Sequence, residues 1–145
     1  MSPKLLLKPM SDTSETFFTT VGCMDGRVQE PVAEFGRRMF DAKFSDTITE
    51  AGLVGLLGEN PKQSLLDSIK QKLNISIEKH HSKGILIHGH EECAASNAVS
   101  DELHIEDVKK SVEKIKELTN GKVSVIGLFV KRSSSDPKIW EALEV

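Results

Sequence analysis

Two short segments carry the residue types that do chemistry: Cys23-Met24-Asp25-Gly26-Arg27 and His90-Glu91-Glu92-Cys93. Together they offer two thiolates and an imidazole, the mixture of soft sulfur and borderline nitrogen that holds tetrahedral zinc. Structural zinc sites close with four Cys or His ligands, and the chain has only two cysteines. Three ligands leave a fourth position for water or a carboxylate, which is the pattern of a catalytic or switchable metal. Asp25 can bind the zinc directly or accept the proton of a zinc-bound water. Arg27, two residues on, selects between these states by pairing with Asp25 and holding it off the metal. A water on such a zinc reaches a pKa near ~7 and supplies hydroxide at neutral pH.

Plainer readings stand beside these. Free cysteines are often small buried hydrophobes, and Asp25 with Arg27 could be a loop-stabilising ion pair. His88 precedes His90 by two, so a strand would point both to one face. It reads as a partly buried, hydrogen-bonded histidine, with a proton shuttle or spare ligand as the alternative. Glu91 and Glu92 lie between ligands, where one can orient His90 or Arg27. His80-His81 suits a helix end at the surface, and Met24 and Met39 read as core.

The elements that must position these residues fit one domain. The chain has 145 residues, is 38% hydrophobic and 28% charged, and carries a net charge of −3. That balance excludes wholesale disorder and argues against a nucleic-acid partner. No apolar run approaches the ~20 residues of a membrane span. Leu5-Leu6-Leu7 is too short for a signal-peptide core. The expected setting is cytoplasmic, with reduced thiols.

Residues 1–15 read as a flexible polar arm and residues 16–145 as a single zinc-binding domain. Phe17 to Gly22 predicts a buried strand ending at Cys23. Pro31 opens a helical pattern through Val32, Phe35, Met39 and Phe40. Lys43 to Thr49 predicts a second strand. Glu50 to Gly58, with a glycine every third residue, reads as a flexible or closely packed connection. It lacks a nucleotide-binding spacing. An amphipathic helix follows from Gln63 to His80. Gly84-Ile85-Leu86-Ile87 is a strand running into His88-Gly89-His90. Ala94 to Ala98 is a turn or short helix. Asp101 to Leu118 is a helix stopped by Asn120-Gly121. Val123 to Val130 is a further strand, and Asp136-Pro137 caps a last helix with Trp140 and Leu143. The alternation predicts an α/β fold, a mostly parallel sheet of about four strands flanked by helices. Both cysteines then fall at the carboxyl ends of strands, where such sheets gather their chemistry.

Cys23-Met24-Asp25-Gly26-Arg27-Val28 resembles the Cys-x-Asp-Ser-Arg motif of the β-class carbonic anhydrases. Gly89-His90-Glu91-Glu92-Cys93-Ala94-Ala95 resembles their Gly-His-x-x-Cys-Gly-Ala segment, and the similarity extends in outline over residues 17–132. It is nearest to a shorter branch with Asp-Gly-Arg in place of Asp-Ser-Arg. The resemblance implies that Cys23, His90 and Cys93 are zinc ligands, with Asp25 as fourth ligand in a closed form. It makes Asp25 and Arg27 the catalytic dyad. The implied reaction is reversible hydration of CO2 to bicarbonate by zinc-bound hydroxide, in a homodimer. Three positions depart from the family pattern: Gly26 replaces serine, Thr49-Glu50-Ala51-Gly52-Leu53 replaces Arg-Asn-Ala-Gly-Asn, and Gln29-Glu30 lengthens the link to Pro31. These departures keep two other expectations open. One is a related zinc hydrolase acting on COS or CS2; the other is a silent zinc sensor or interaction protein. The arm at residues 1–15 and the helix around Trp140 are the segments expected to build an interface.

Overall fold

The computed structural model describes residues 15–96 and 100–145. The expected N-terminal arm therefore lies almost wholly outside the described residues, as does the end of the turn expected at Ala94 to Ala98. In chain order the elements are β1 (Phe17–Gly22), α1 (Gly26–Phe40), β2 (Phe44–Thr49), α2 (Leu53–Gly58), α3 (Gln63–Asn74) with a π turn at Ile75–Lys79, β3 (Ile85–His90), α4 (Asp101–Thr119), β4 (Val125–Arg132) and β5 (Trp140–Glu144). The described strands form one five-stranded sheet in the order β2-β1-β3-β4-β5. The first four are parallel, and β5 runs antiparallel to β4.

Each face of the sheet has its own apolar layer. Val21, Ile85 and Ile87 join Leu53, Val54, Val108 and Ile115 on the side of α2 and α4. Phe18, Leu86, Leu128 and Val130 pack with Val28 and Val32 of α1 on the other. The central strands β1, β3 and β4 are buried on both sides, so they read as near-continuous apolar runs, while the edge strands β2 and β5 stay largely exposed. Strand alternation then assigns His88 and His90 to the face of Leu86, as their spacing predicts.

Three expectations change. The segment at Trp140 is not a helix: it pairs with β4 from Leu128↔Glu144 to Arg132↔Trp140, which gives a fifth strand. Helix α1 begins at Gly26, five residues before Pro31, because Asp25 caps it by accepting from the Arg27 N–H. Pro31 sits inside, where its missing N–H leaves the Arg27 carbonyl free. The glycine-spaced connection holds a helix, α2, packed closely enough on α4 that a Cβ on Gly58 would meet Asp107 Oδ1 at 2.7 Å.

The order of the sheet decides where a site can form. From β1 the chain passes to β2 on one side and then crosses to β3 on the other, so the connections diverge between β1 and β3. In open α/β sheets the crevice beyond the carboxyl ends of such a strand pair is the usual ligand position. Gly22 pairs with His88, which brings Cys23 and His90 to that crevice together.

Candidate metal centre

Cys23 leaves the end of β1, His90 ends β3, and Cys93 follows the turn at Glu91 and Glu92. One donor atom from each lies within 4.8 Å of the other two, and all three residues are buried. The two Sγ atoms are 3.9 Å apart. Two thiolates on one tetrahedral zinc, with Zn–S about 2.3 Å, stand about 3.8 Å apart. His90 Nδ1 is 2.7 Å from the Glu91 carbonyl, so that nitrogen carries the proton and donates. Nε2 is left as a bare lone pair, buried and without a partner. Burial lowers the His90 pKa and raises that of Cys93. A neutral imidazole suits a metal, and a buried thiol gains most from a cation that replaces its proton. The cluster fits a zinc ion.

The loop behind Cys23 is fixed from several sides. Gln29 Nε2 donates to the Cys23 carbonyl at 2.9 Å and to the Asp25 carbonyl at 2.8 Å. The Gly52 N–H points at Cys23 Sγ from 3.4 Å. Gly52 has φ 64°, and a Cβ there would sit 2.9 Å from Ala95 Cβ. Both the left-handed backbone and the close approach call for glycine. The spacing around Gly52 was visible in the sequence; its reach to Cys23 was not. Nor was Gln29, which looked only like part of a lengthened link.

Asp25 and Arg27 form the expected pair at the rim. Arg27 Nε and Nη2 donate to the two carboxylate oxygens at 3.1 and 2.8 Å, and the Arg27 N–H adds a third bond at 2.9 Å. The Arg27 hydrogen bond holds the Asp25 carboxyl down at about 2. Asp25 Oδ2 comes within 3.9 Å of His90 Nε2. Glu92, in the left-handed region at φ 57°, turns its carbonyl to Arg27 Nη2 at 3.2 Å. The Glu91 carboxylate accepts from the Arg132 N–H.

Other sequence readings fare less evenly. His88 is fully buried, but neither ring nitrogen has a hydrogen bond, and burial lowers its pKa to about 3. It is a neutral packing residue whose ring lies over Gly22, where a Cβ would approach within 2.3 Å. Met24 and Met39 are not core, being 62% and 43% exposed. His80 stacks on Phe17 at 4.1 Å and pairs with Asp46 through Nδ1 at 2.7 Å. That pair is remote from the metal cluster. No helix among the described residues is long and apolar enough to cross a membrane.

The class of protein defined here is a parallel α/β domain with a Cys2His cluster at its switch point and an Asp-Arg pair beside it. The chain belongs to the family described as "Putative carbonic anhydrase", whose model matches residues 13–139. No curated protein matches the sequence. Among solved structures, the fold is similar to the β-carbonic anhydrase CafD of Aspergillus fumigatus, with a TM-score of 0.54 and 14% identity over 98% of this chain and 94% of that one. It is also similar to CafA of the same fungus, with a TM-score of 0.53 and 14% identity over 90% and 76% of the respective chains.

Proposed function

We propose that this chain holds zinc on Cys23, His90 and Cys93 and catalyses the reversible hydration of CO2 to bicarbonate, as the family and the β-carbonic anhydrase fold imply. The observation that carries the reading is the ligand triad beside a carboxylate that its own arginine occupies. Zinc held there would polarise water into a nucleophile near neutral pH.

The chain's residues supply the rest. An aspartate held near 2 stays ionised throughout the working range. It therefore accepts a hydrogen bond from a reacting water and orients it, without retaining the proton. That proton passes to buffer as the new C–O bond forms. Arg27 keeps both carboxylate oxygens engaged, which opposes closure of the site by Asp25. The three Arg27–Asp25 hydrogen bonds favour this open reading over a permanently closed zinc protein. With it go the homodimer that the resemblance implies and a cytoplasmic setting in which thiolate ligands stay reduced. The test is stopped-flow CO2 hydration by zinc-loaded protein across pH 7–9. Turnover no faster than buffer overturns the proposal, and sulfide release from COS or CS2 would redirect it.

A further inference from the structure

Arg27 has more partners than Asp25 alone. Its guanidinium carbon lies 4.7 Å from the centroid of the Trp140 ring. Nη1 comes within 3.6 Å of Glu92 Oε1, while Nη2 reaches the Glu92 carbonyl. Glu92 is pinned in turn. Arg132 Nε donates to Oε2 at 2.8 Å and Nη2 donates to Oε1 at 3.0 Å. Arg132 also lies over Trp140, 4.5 Å from the ring centroid, and its Nη1 donates to the Pro137 carbonyl at 2.7 Å. Two guanidiniums, one indole and one carboxylate thus close a ring of contacts beside the ligand cluster.

The arrangement has a physical purpose. An arginine side chain that is 40% exposed and paired with one carboxylate gains little from that pair alone and keeps much rotamer freedom. Bidentate pairing with Asp25 needs the planar fork held in one orientation. An indole face under the guanidinium sets that plane, and the Glu92 carbonyl fixes its rotation. Glu92 also contacts both cations, offsetting the repulsion between two guanidiniums gathered at one ring. If Arg27 tilts out of plane, it grips Asp25 by one oxygen and releases the other toward the metal position.

We infer that Trp140, backed by the Glu92–Arg132 pair, is the positioning residue that holds Arg27 in its clamp and so keeps Asp25 from closing the site. The inference rests on the zinc reading above and adds a regulator of that same site. Trp140 acts through Arg27, so its effect should appear in access to the metal before it appears in metal content.

The test uses the full chain loaded with Co(II), whose visible spectrum reports the fourth ligand, titrated with azide. Trp140→Ala is expected to bind one Co(II) per chain, like the wild type, but to bind azide roughly tenfold more weakly, within the range of a partly desolvated cation–π contact. Trp140→Phe keeps an aromatic face and is expected to stay within about threefold of wild type. Azide affinity in Trp140→Ala within about twofold of wild type overturns the inference, as does an equal loss in the Phe and Ala variants. Should Trp140→Ala fail to fold, Glu92→Gly gives the reading. Glycine suits the left-handed backbone at that position and removes the carboxylate brace, so weaker azide binding supports the inference and unchanged binding overturns it. Wild-type protein that takes up no Co(II) overturns the metal reading itself and the inference with it, a result seen before any variant is compared.

Discussion

His90 Nε2 and Asp25 Oδ2 face each other across 3.9 Å without a hydrogen bond between them. The nitrogen is buried and offers a lone pair, while the oxygen is taken by Arg27 Nη2 at 2.8 Å. The Cys-His-Cys cluster and the Asp25–Arg27 pair therefore meet at one point but are held by separate contacts, so their substitutions should have separable effects.

Cys93→Ser is expected to lose most of its zinc, since an alkoxide is a poor substitute for thiolate in such a set. Asp25→Asn should keep the metal and slow turnover about a hundredfold, in the range for removing one oriented hydrogen-bonding group. Metal analysis by mass spectrometry beside stopped-flow assay separates the two. Equal zinc in wild type and Cys93→Ser would contradict the ligand assignment.

Gln29→Leu tests the brace on the Cys23 loop. Its amide joins the Cys23 and Asp25 carbonyls, and loss of comparable supporting contacts costs about 10- to 100-fold in metal affinity. Competition with a zinc chelator measures this. An affinity equal to wild type would mean that the loop keeps its shape without Gln29.

Gly22→Ala should destabilise the fold by about 1–3 kcal/mol through overpacking. The added methyl would lie 2.3 Å from the His88 ring, at the last pair of the β1–β3 ladder. Thermal unfolding should show a midpoint lower by about 2–4 °C per kcal/mol for a chain of this size. Gly22→Ala with His88→Ala should recover part of the loss, because the clash has then lost its partner.

Asp107→Asn should stabilise the protein at neutral pH. Asp107 is 6% exposed; burial, reinforced by Glu59, raises its pKa, while Lys110 and His104 oppose that rise. The folded state thus holds the proton more tightly than the unfolded state. The resulting stability is fully present below the unfolded value, about 3.9, and is lost as pH rises through the folded one. Asparagine removes the ionised group, so the unfolding midpoint at pH 7 should rise above that of the wild type. The gain should fade toward pH 4, and a gain that is constant with pH would refute the cause given.

The parallel core was legible because its central strands are short apolar, β-branched runs, two of which end at Gly22 before Cys23 and at His90. The convergence of Cys23, His90 and Cys93 was legible for a related reason: Cys23 follows one strand end and His90 marks another. Trp140-Glu141-Ala142-Leu143-Glu144 misled because Glu, Ala and Leu are strong helix formers and Asp136-Pro137 mimics a helix start. Pairing with Leu128 to Arg132 overrides that local preference. The mistake concealed Trp140's place beside Arg27, since its assignment to an outer helix separated the two. Met24 misled in the opposite direction. Cys23 before it is buried, while the loop turns the Met24 side chain outward. Asp25 as a helix cap was within reach of sequence reasoning, but Pro31 five residues later is the stronger start signal.

The register Gly22↔His88 joins two strands far apart in the chain, and the donor atoms of the cluster converge only when that pairing is complete. Neither Cys23 nor the His90-Cys93 pair makes a three-ligand pocket alone. Such long-range parallel contacts bear a loop-closure cost before they are rewarded. A metal held by this cluster would consequently be captured late, by a chain whose sheet has already formed. Loading would then act as a checkpoint on maturation, since a molecule that mispairs its central strands does not bring the donor atoms together.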